Sequence, residues 1–140
     1  MAAYNKHNQF IKDLIDGVHN FSTHTFKVML CLTAPVATNS VKVNLTEIAA
    51  GNGYTAGGTA TTITTSLSTA TSKITGTDVV FTASGAMASF RYADLYNDTP
   101  TSPADPLIAW FDYGSAVNLL LGETFTVDFD ASAGIATFGP

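Results

Sequence analysis

The sequence predicts an all-β fold, a jelly-roll-like β-sandwich of about eight short strands with one short N-terminal helix. From residue 25 onward, apolar side chains recur at every second position, which is the spacing of a half-buried strand. Threonine is the most frequent residue, and β-branched side chains favour strands because a helix restricts their χ1 angle. Segments rich in glycine and proline separate the alternating stretches at short intervals, as in sandwiches and barrels.

A chain of 140 residues and 14.7 kDa has the size of one domain, 1–140. We divide it into an N-terminal arm and helix, 1–24, and the sandwich, 25–140. Folded chains of this size bury about two-thirds of their extended surface, so the domain needs no disulfide or metal to support its core.

Helical periodicity is confined to the N-terminal segment. The apolar stripe of one helix is formed by Phe10, Ile11, Leu14, Ile15 and Val18. Asn8 is the expected N-cap, and Gly17 weakens the C-terminal end. Lys12, Asp13 and Asp16 lie off the stripe, which predicts that they face solvent.

Strands are predicted at 25–33, 41–45, 59–67, 78–83, 88–96, 107–113, 123–130 and 135–138. The stretch 88–96 places Phe90, Tyr92 and Tyr96 on one face, with Asp94 as a polar exception. No internal repeat or interdomain linker interrupts this pattern, so the strands belong to one sandwich.

The charge composition excludes several classes of partner. Only 12% of residues are charged and the net charge is −5, so we expect no nucleic-acid partner. No apolar run approaches the length of a membrane span, and no secretory signal is visible, so we expect no membrane partner and synthesis in a cytoplasm. A single cysteine, Cys31, excludes an intramolecular disulfide.

The titratable residues do not form a pattern typical of catalysis or metal binding. The histidines, which we expect to be surface or helix-packing residues, are His7, His19 and His24. Asp128 and Asp130 are expected to be solvated carboxylates on the polar face of a strand, and Cys31 a buried, inert thiol. The sequence therefore predicts a protein that is not an enzyme, with no metal, no cofactor and no small-molecule substrate.

The most distinctive stretch, 51–58, is rich in glycine. Its glycines are Gly51, Gly53, Gly57 and Gly58. A phosphate-binding loop would lead into a helix and carry a lysine, whereas a threonine-rich strand follows here. The stretch is therefore interpreted as a structural turn with residues at positive φ, anchored by Tyr54.

Aromatic residues are concentrated in the stretch 107–113. Trp110, Phe111 and Tyr113 alternate across one strand, so at most two of them share a face. Core packing or a subunit contact is favoured over a sugar-binding platform.

Several short motifs together resemble a known family. They are Phe-Lys-Val-Met-Leu at 26–30, Glu-Ile at 47–48, Ala-Gly-Asn-Gly-Tyr-Thr-Ala-Gly-Gly at 50–58, Phe-Arg-Tyr at 90–92, Pro-Leu-Ile-Ala-Trp-Phe-Asp-Tyr-Gly at 106–114 and Phe-Thr-Val at 125–127. In this order the motifs resemble the head cement, or decoration, proteins of tailed bacteriophages. The resemblance implies a jelly-roll-like sandwich and a homodimer. It also implies many copies on the outside of the virion's capsid, bridging major capsid protein subunits, and no catalytic residues.

Two kinds of contact follow as expectations. Capsid contacts are expected from the arm 1–7 and the exposed loops 35–40 and 98–106. Their candidate residues are Met1, Ala2, Ala3, Tyr4 and Pro103. The dimer is expected at an exposed strand face or edge, with Trp110 as the best single candidate. The alternative function is a carbohydrate- or receptor-binding module on a phage tail or fibre, which would need an exposed aromatic platform.

Overall fold

The structure, a computed structural model, describes residues 3–140 and, for Ala3, the backbone alone. This part of the chain is all-β with one short helix, as predicted. The helix is α1, Phe10–Ile15. The strands are β1 Ala3–Lys6, β2 Phe26–Cys31, β3 Thr59–Thr61, β4 Ile63–Ser68, β5 Thr71–Gly76, β6 Val79–Thr82, β7 Phe90–Asn97, β8 Leu107–Val117, β9 Thr124–Val127 and β10 Ala136–Phe138.

All strand pairings within the three sheets are antiparallel. The largest sheet has five strands in the order β1-β8-β7-β2-β3. The two smaller sheets have the orders β10-β5-β4 and β6-β9. Buried side chains from both small sheets and from one face of the large sheet form one continuous hydrophobic cluster, which gives the sandwich its core.

The second face of the large sheet is also covered. Met29, Cys31, Tyr92, Tyr96 and Leu107 form a separate buried cluster there. The register of β7 against β8 shifts between Phe90 and Tyr92, so Phe90 turns into the main core while Tyr92 packs on the opposite face. The prediction that Phe90 shares a face with Tyr92 and Tyr96 is therefore wrong.

The N-terminal segment is part of the sandwich. Strand β1 pairs with β8, from Ala3 opposite Asp112 to Lys6 opposite Ala109. His7 follows the strand and is fully buried. The division into an arm, 1–24, and a sandwich, 25–140, is therefore wrong for the residues that the structure describes. Met1 and Ala2 lie outside those residues.

The helix is shorter than the predicted stripe and differs at both ends. Gln9, not Asn8, is the N-cap residue. Gly17, at φ 77°, ends the helix: its N–H donates to Leu14, and the Val18 N–H donates to Asp13, which is the Schellman arrangement. Asp13 is buried rather than solvated, because this loop folds over it and Gln9 donates a hydrogen bond to its carboxylate.

Three strand predictions need correction. Residues 41–45 contain a single turn of 3-10 helix, Lys42–Asn44, because the Asn44 side chain accepts hydrogen bonds from the backbone of Ser40 and Val41. The predicted strand 59–67 is two strands, β3 and β4, which belong to different sheets. Strand β5 was not predicted. It follows β4 after a two-residue turn and pairs with it in antiparallel register.

Candidate interaction surface

The glycine-rich stretch 51–58 is a rigid turn. Its glycines have positive φ angles of 126°, 100°, 90° and 76° at Gly51, Gly53, Gly57 and Gly58. A Cβ atom at Gly58 would lie 1.9 Å from the Val28 carbonyl oxygen. Glycine is therefore required at position 58 both by the backbone angle and by the close approach of β2.

Tyr54 and Glu47 hold this turn against the large sheet. The buried Tyr54 hydroxyl donates a 2.6 Å hydrogen bond to Glu47 Oε1 and accepts a 3.1 Å bond from the Leu30 N–H. The Gly57 N–H donates to the same Glu47 oxygen. Burial and Glu47 both raise the pKa of the Tyr54 hydroxyl. The Gly57 amide is therefore already bonded to a carboxylate and is not free to bind an anion.

A buried histidine–carboxylate pair joins β1 to the centre of the large sheet. His7 Nε2 lies 2.9 Å from Asp94 Oδ2, and the side chains of both residues are fully buried. The His7 ring also packs on Trp110, with the ring centroids 4.6 Å apart. Burial raises the pKa of Asp94 to about 6. The fold encloses the pair completely, and the pair links the residue after β1 to β7.

The other histidines surround one amide. Asn97 Nδ2 lies 3.1 Å from His19 Nδ1 and 2.9 Å from His24 Nδ1. An amide nitrogen only donates, so both Nδ1 atoms are acceptors and each neutral ring carries its proton on Nε2. Burial lowers the pKa of His19 to about 4. His7 and His19 are buried rather than on the surface, and His19 packs on Phe10 of the helix.

The remaining sequence candidates for chemistry are also enclosed or solvated. Cys31 is buried, and its burial, with Asp94 and Glu47 nearby, raises the pKa of the thiol to about 12. Asp128 is exposed, and Asp130 accepts hydrogen bonds from the backbone of Ser132 and Ala133. Within residues 3–140, no cluster of histidine, cysteine and carboxylate side chains could hold a metal ion. The helix of the described chain is too short to span a membrane.

The two loops that the sequence selected for capsid contacts are adjacent. The Lys42 N–H donates a 2.9 Å bond to the Asp105 carbonyl, and the Leu107 N–H donates a 3.0 Å bond to the Ser40 carbonyl. A β-bridge joins Val41 to Pro106 between them. Residues 32–45 and 98–106 therefore form one connected surface, which we call the loop surface.

The loop surface exposes apolar side chains, and the two lysines in or beside it are paired with carboxylates of the protein. Leu32 and Val36 are about half exposed, Val43 is 86% exposed, and Pro103 is exposed. Both of these lysines contact a carboxylate. Lys27 Nζ is 2.7 Å from Asp98, and Lys42 Nζ lies 3.8 Å from Glu47 and 5.3 Å above the Tyr96 ring.

A cleft of about 500 Å³ opens between the end of β8 and the free edge of β9. Arg91 forms a bidentate pair with Asp112 at 2.8 and 2.9 Å on one side of it. Tyr113, 55% exposed, packs edge-on against Phe125, with the ring centroids 5.3 Å apart. The cleft thus combines aromatic surface with charged groups that can bind hydroxyls.

Trp110 and Tyr4 lie in different surroundings. Trp110 is half-buried and contacts His7 and the second cluster, and its expected part in a dimer stays a prediction. Tyr4 is 42% exposed on β1 and packs on Phe111. Comparison of the chain with protein-family models, with curated proteins and with solved structures finds no match.

Proposed function

We propose that this protein is a non-enzymatic structural protein of a tailed-phage virion. It is made in the host bacterial cytoplasm, binds the outer surface of the capsid and cements adjacent major capsid protein subunits. No cofactor, nucleic acid, membrane or small-molecule substrate takes part. The proposal rests on the sequence motifs that resemble decoration proteins and on one structural observation, the loop surface.

The loop surface has the chemistry that docking on a protein shell requires. Exposed apolar side chains gain free energy when a partner covers them, about 1.5–3 kcal/mol for each valine that becomes fully buried. An unpaired charge would cost free energy in the same position, but Lys27 and Lys42 already have carboxylate partners within the protein. Backbone hydrogen bonds between the two loops fix their geometry before binding, so little ordering entropy is lost.

The test is binding to expanded, empty capsids that lack this protein, from the phage whose genome encodes it. We expect the purified protein to co-sediment with these capsids and to raise their melting temperature. Val43→Asp places a charge at the most exposed apolar position of the loop surface, and we expect at least a tenfold loss of affinity.

Val80→Asp is the matched control. Val80 is 52% exposed on β6, outside the loop surface, so the same change of charge there should leave capsid binding intact. Equal loss of binding for both variants would remove the loop surface from the proposal. Failure of the wild-type protein to bind would remove the capsid function itself.

The cleft beside Arg91 favours a second candidate, a carbohydrate- or receptor-binding module on a phage tail or fibre. An aromatic side chain stacks on the apolar face of a sugar, and a paired guanidinium and carboxylate can bind its hydroxyls. Binding to a glycan array that is abolished by Tyr113→Ala, without binding to capsids, would favour this function over the first.

A further inference from the structure

Strand β4 is an open sheet edge without the usual protection against pairing. It runs in unbroken register along β5 over six residue pairs, and its other side meets no strand among residues 3–140. The sequence between Glu47 and Lys73 contains neither a charged residue nor a proline. Natural sheets usually guard such edges with charges, prolines, bulges or very short strands. The outer strands β3 and β10 have three residues each, whereas β4 has six.

The outward-facing backbone groups of β4 can be assigned from the ladder. The Thr77 N–H donates a 3.0 Å bond to the Thr62 carbonyl, which makes this a hydrogen-bonded pair, and such pairs alternate along an antiparallel ladder. Thr64, Ser66 and Ser68 therefore bond to β5. The N–H and C=O groups of the intervening residues point away from β5, and these residues are Ile63, Thr65 and Leu67.

The same three residues share one face of the strand. Ile63 packs against the main core, and Thr65 lies opposite the buried Ile74 of β5. Leu67 continues this face beyond the core and is 72% exposed. Of the three residues whose backbone groups point away from β5, the first, Ile63, is covered by the core and the last, Leu67, is exposed.

We infer that β4 pairs with β4 of a second copy of this chain, antiparallel, about a two-fold axis at Thr65. In this register Ile63 lies opposite Leu67 of the second copy, Thr65 opposite Thr65, and Leu67 opposite Ile63. All three pairs are of the hydrogen-bonded type, which gives about six backbone hydrogen bonds. Both exposed leucines gain an apolar neighbour on the same face.

This register explains why the occupant is a second copy. The arrangement of Ile63, Thr65 and Leu67 is self-complementary, as a two-fold interface requires. If the two β4 strands shifted by one residue, the free backbone groups of one copy would lie opposite residues of the other copy whose backbone groups already bond to β5. No cation stands at the axis, because the Lys73 Nζ is directed to the carbonyls of Ala131 and Ser132, 3.1 Å from each. This pairing occupies the free edge of β4 in each copy, so the assembly ends at two copies.

Sedimentation velocity of the protein alone, over a concentration series, tests this inference. We expect a monomer–dimer equilibrium for the wild type and a monomer for Thr65→Lys, which sets two cations opposite each other at the axis. Thr126→Lys, at an exposed position of β9, is the matched control and should dimerise like the wild type.

An equimolar mixture of Thr65→Lys and Thr65→Glu chains should form dimers again, because opposite charges then meet at the axis. Thr65→Cys should form an intermolecular disulfide on oxidation, since hydrogen-bonded pairs have Cα atoms about 5.5 Å apart. A wild type that stays monomeric at every concentration, or a Thr65→Lys variant that dimerises normally, would overturn the inference. Capsid binding is not measured in these experiments, so either result leaves the proposed function to its own test.

Discussion

His7 and Asp94, 87 positions apart in the sequence, meet at 2.9 Å in a site from which solvent is excluded. The contact fastens the residue after β1 to β7, the central strand of the large sheet. It also places a carboxyl group where its charged form is poorly solvated. The stability of the protein therefore depends on pH in a definite direction.

Asp94 should make the protein less stable as the pH rises from about 4 to about 6. Its pKa is about 6 in the folded chain against 3.8 ordinarily, because burial disfavours the charge. Between these values the folded state holds more protons than the unfolded state, so the free energy of unfolding falls with rising pH. The full effect is on the order of 3 kcal/mol.

Urea denaturation at a series of pH values measures this contribution. Asp94→Asn keeps an oxygen that accepts a bond from His7 but cannot ionise, so the difference between wild type and variant should change across this window. Asp128→Asn, at an exposed position, is the control and should leave the pH profile of the wild type unchanged. A constant difference between wild type and Asp94→Asn from pH 4 to 7 would contradict the prediction.

Tyr54→Phe should lower the free energy of unfolding by about 2–3 kcal/mol. The change removes the acceptor of the buried Leu30 N–H and the donor to Glu47. Tyr113→Phe removes a hydroxyl from an exposed side chain, so we expect a change below about 0.5 kcal/mol. Denaturant titration of both variants decides the question, and equal effects would show that the Tyr54 hydroxyl does not anchor the turn.

Gly58→Ala should destabilise the fold much more than Gly122→Ala. Both glycines have positive φ, 76° and 84°, so both substitutions strain the backbone by about 1–2 kcal/mol. A Cβ atom at Gly122 meets nothing within 4 Å, whereas at Gly58 it lies 1.9 Å from the Val28 carbonyl oxygen. We expect a loss above about 3 kcal/mol for Gly58→Ala, measured by thermal or chemical unfolding. Comparable losses for the two variants would mean that the backbone of β2 moves aside at little cost to make room for the added Cβ atom.

Cys31 should resist thiol reagents in the folded protein. Its thiol is buried and its pKa is raised to about 12, so almost no thiolate exists at pH 8. Labelling with a chromogenic disulfide should occur only after unfolding in guanidinium chloride. A Thr126→Cys variant supplies an exposed thiol for comparison and should react at once. Rapid labelling of native wild type would show that the second face of the sheet opens readily.

The sequence alone predicted those strands in which the alternating apolar residues are also the residues that the fold buries. Strand β9 carries Phe125 and Val127 toward the core, as its pattern indicates. Strand β1 could not be predicted this way, since its four residues show no apolar alternation and its partner lies about a hundred residues away. Asp94 was an exception to a pattern, and its burial depends on a histidine from a distant segment.

The sequence predicted the separate loops of the loop surface but not that they lie side by side. The sequence selected the loops 35–40 and 98–106 because they fall between predicted strands, but their contact depends on backbone bonds such as Lys42 to Asp105. Glu47 was missed as the anchor of the glycine-rich turn. One signal was available, because it is one of only two glutamates and stands ten residues before Gly57. Which backbone amides it binds follows only from the fold.

The pairing of β1 with β8 also constrains when the chain can finish folding during synthesis. The partner of Ala3 is Asp112, so the edge of the large sheet stays incomplete until more than a hundred further residues have left the ribosome. At typical rates of protein synthesis this interval lasts roughly ten seconds. Until then β1 has no partner strand, and the ring contact between His7 and Trp110 cannot form.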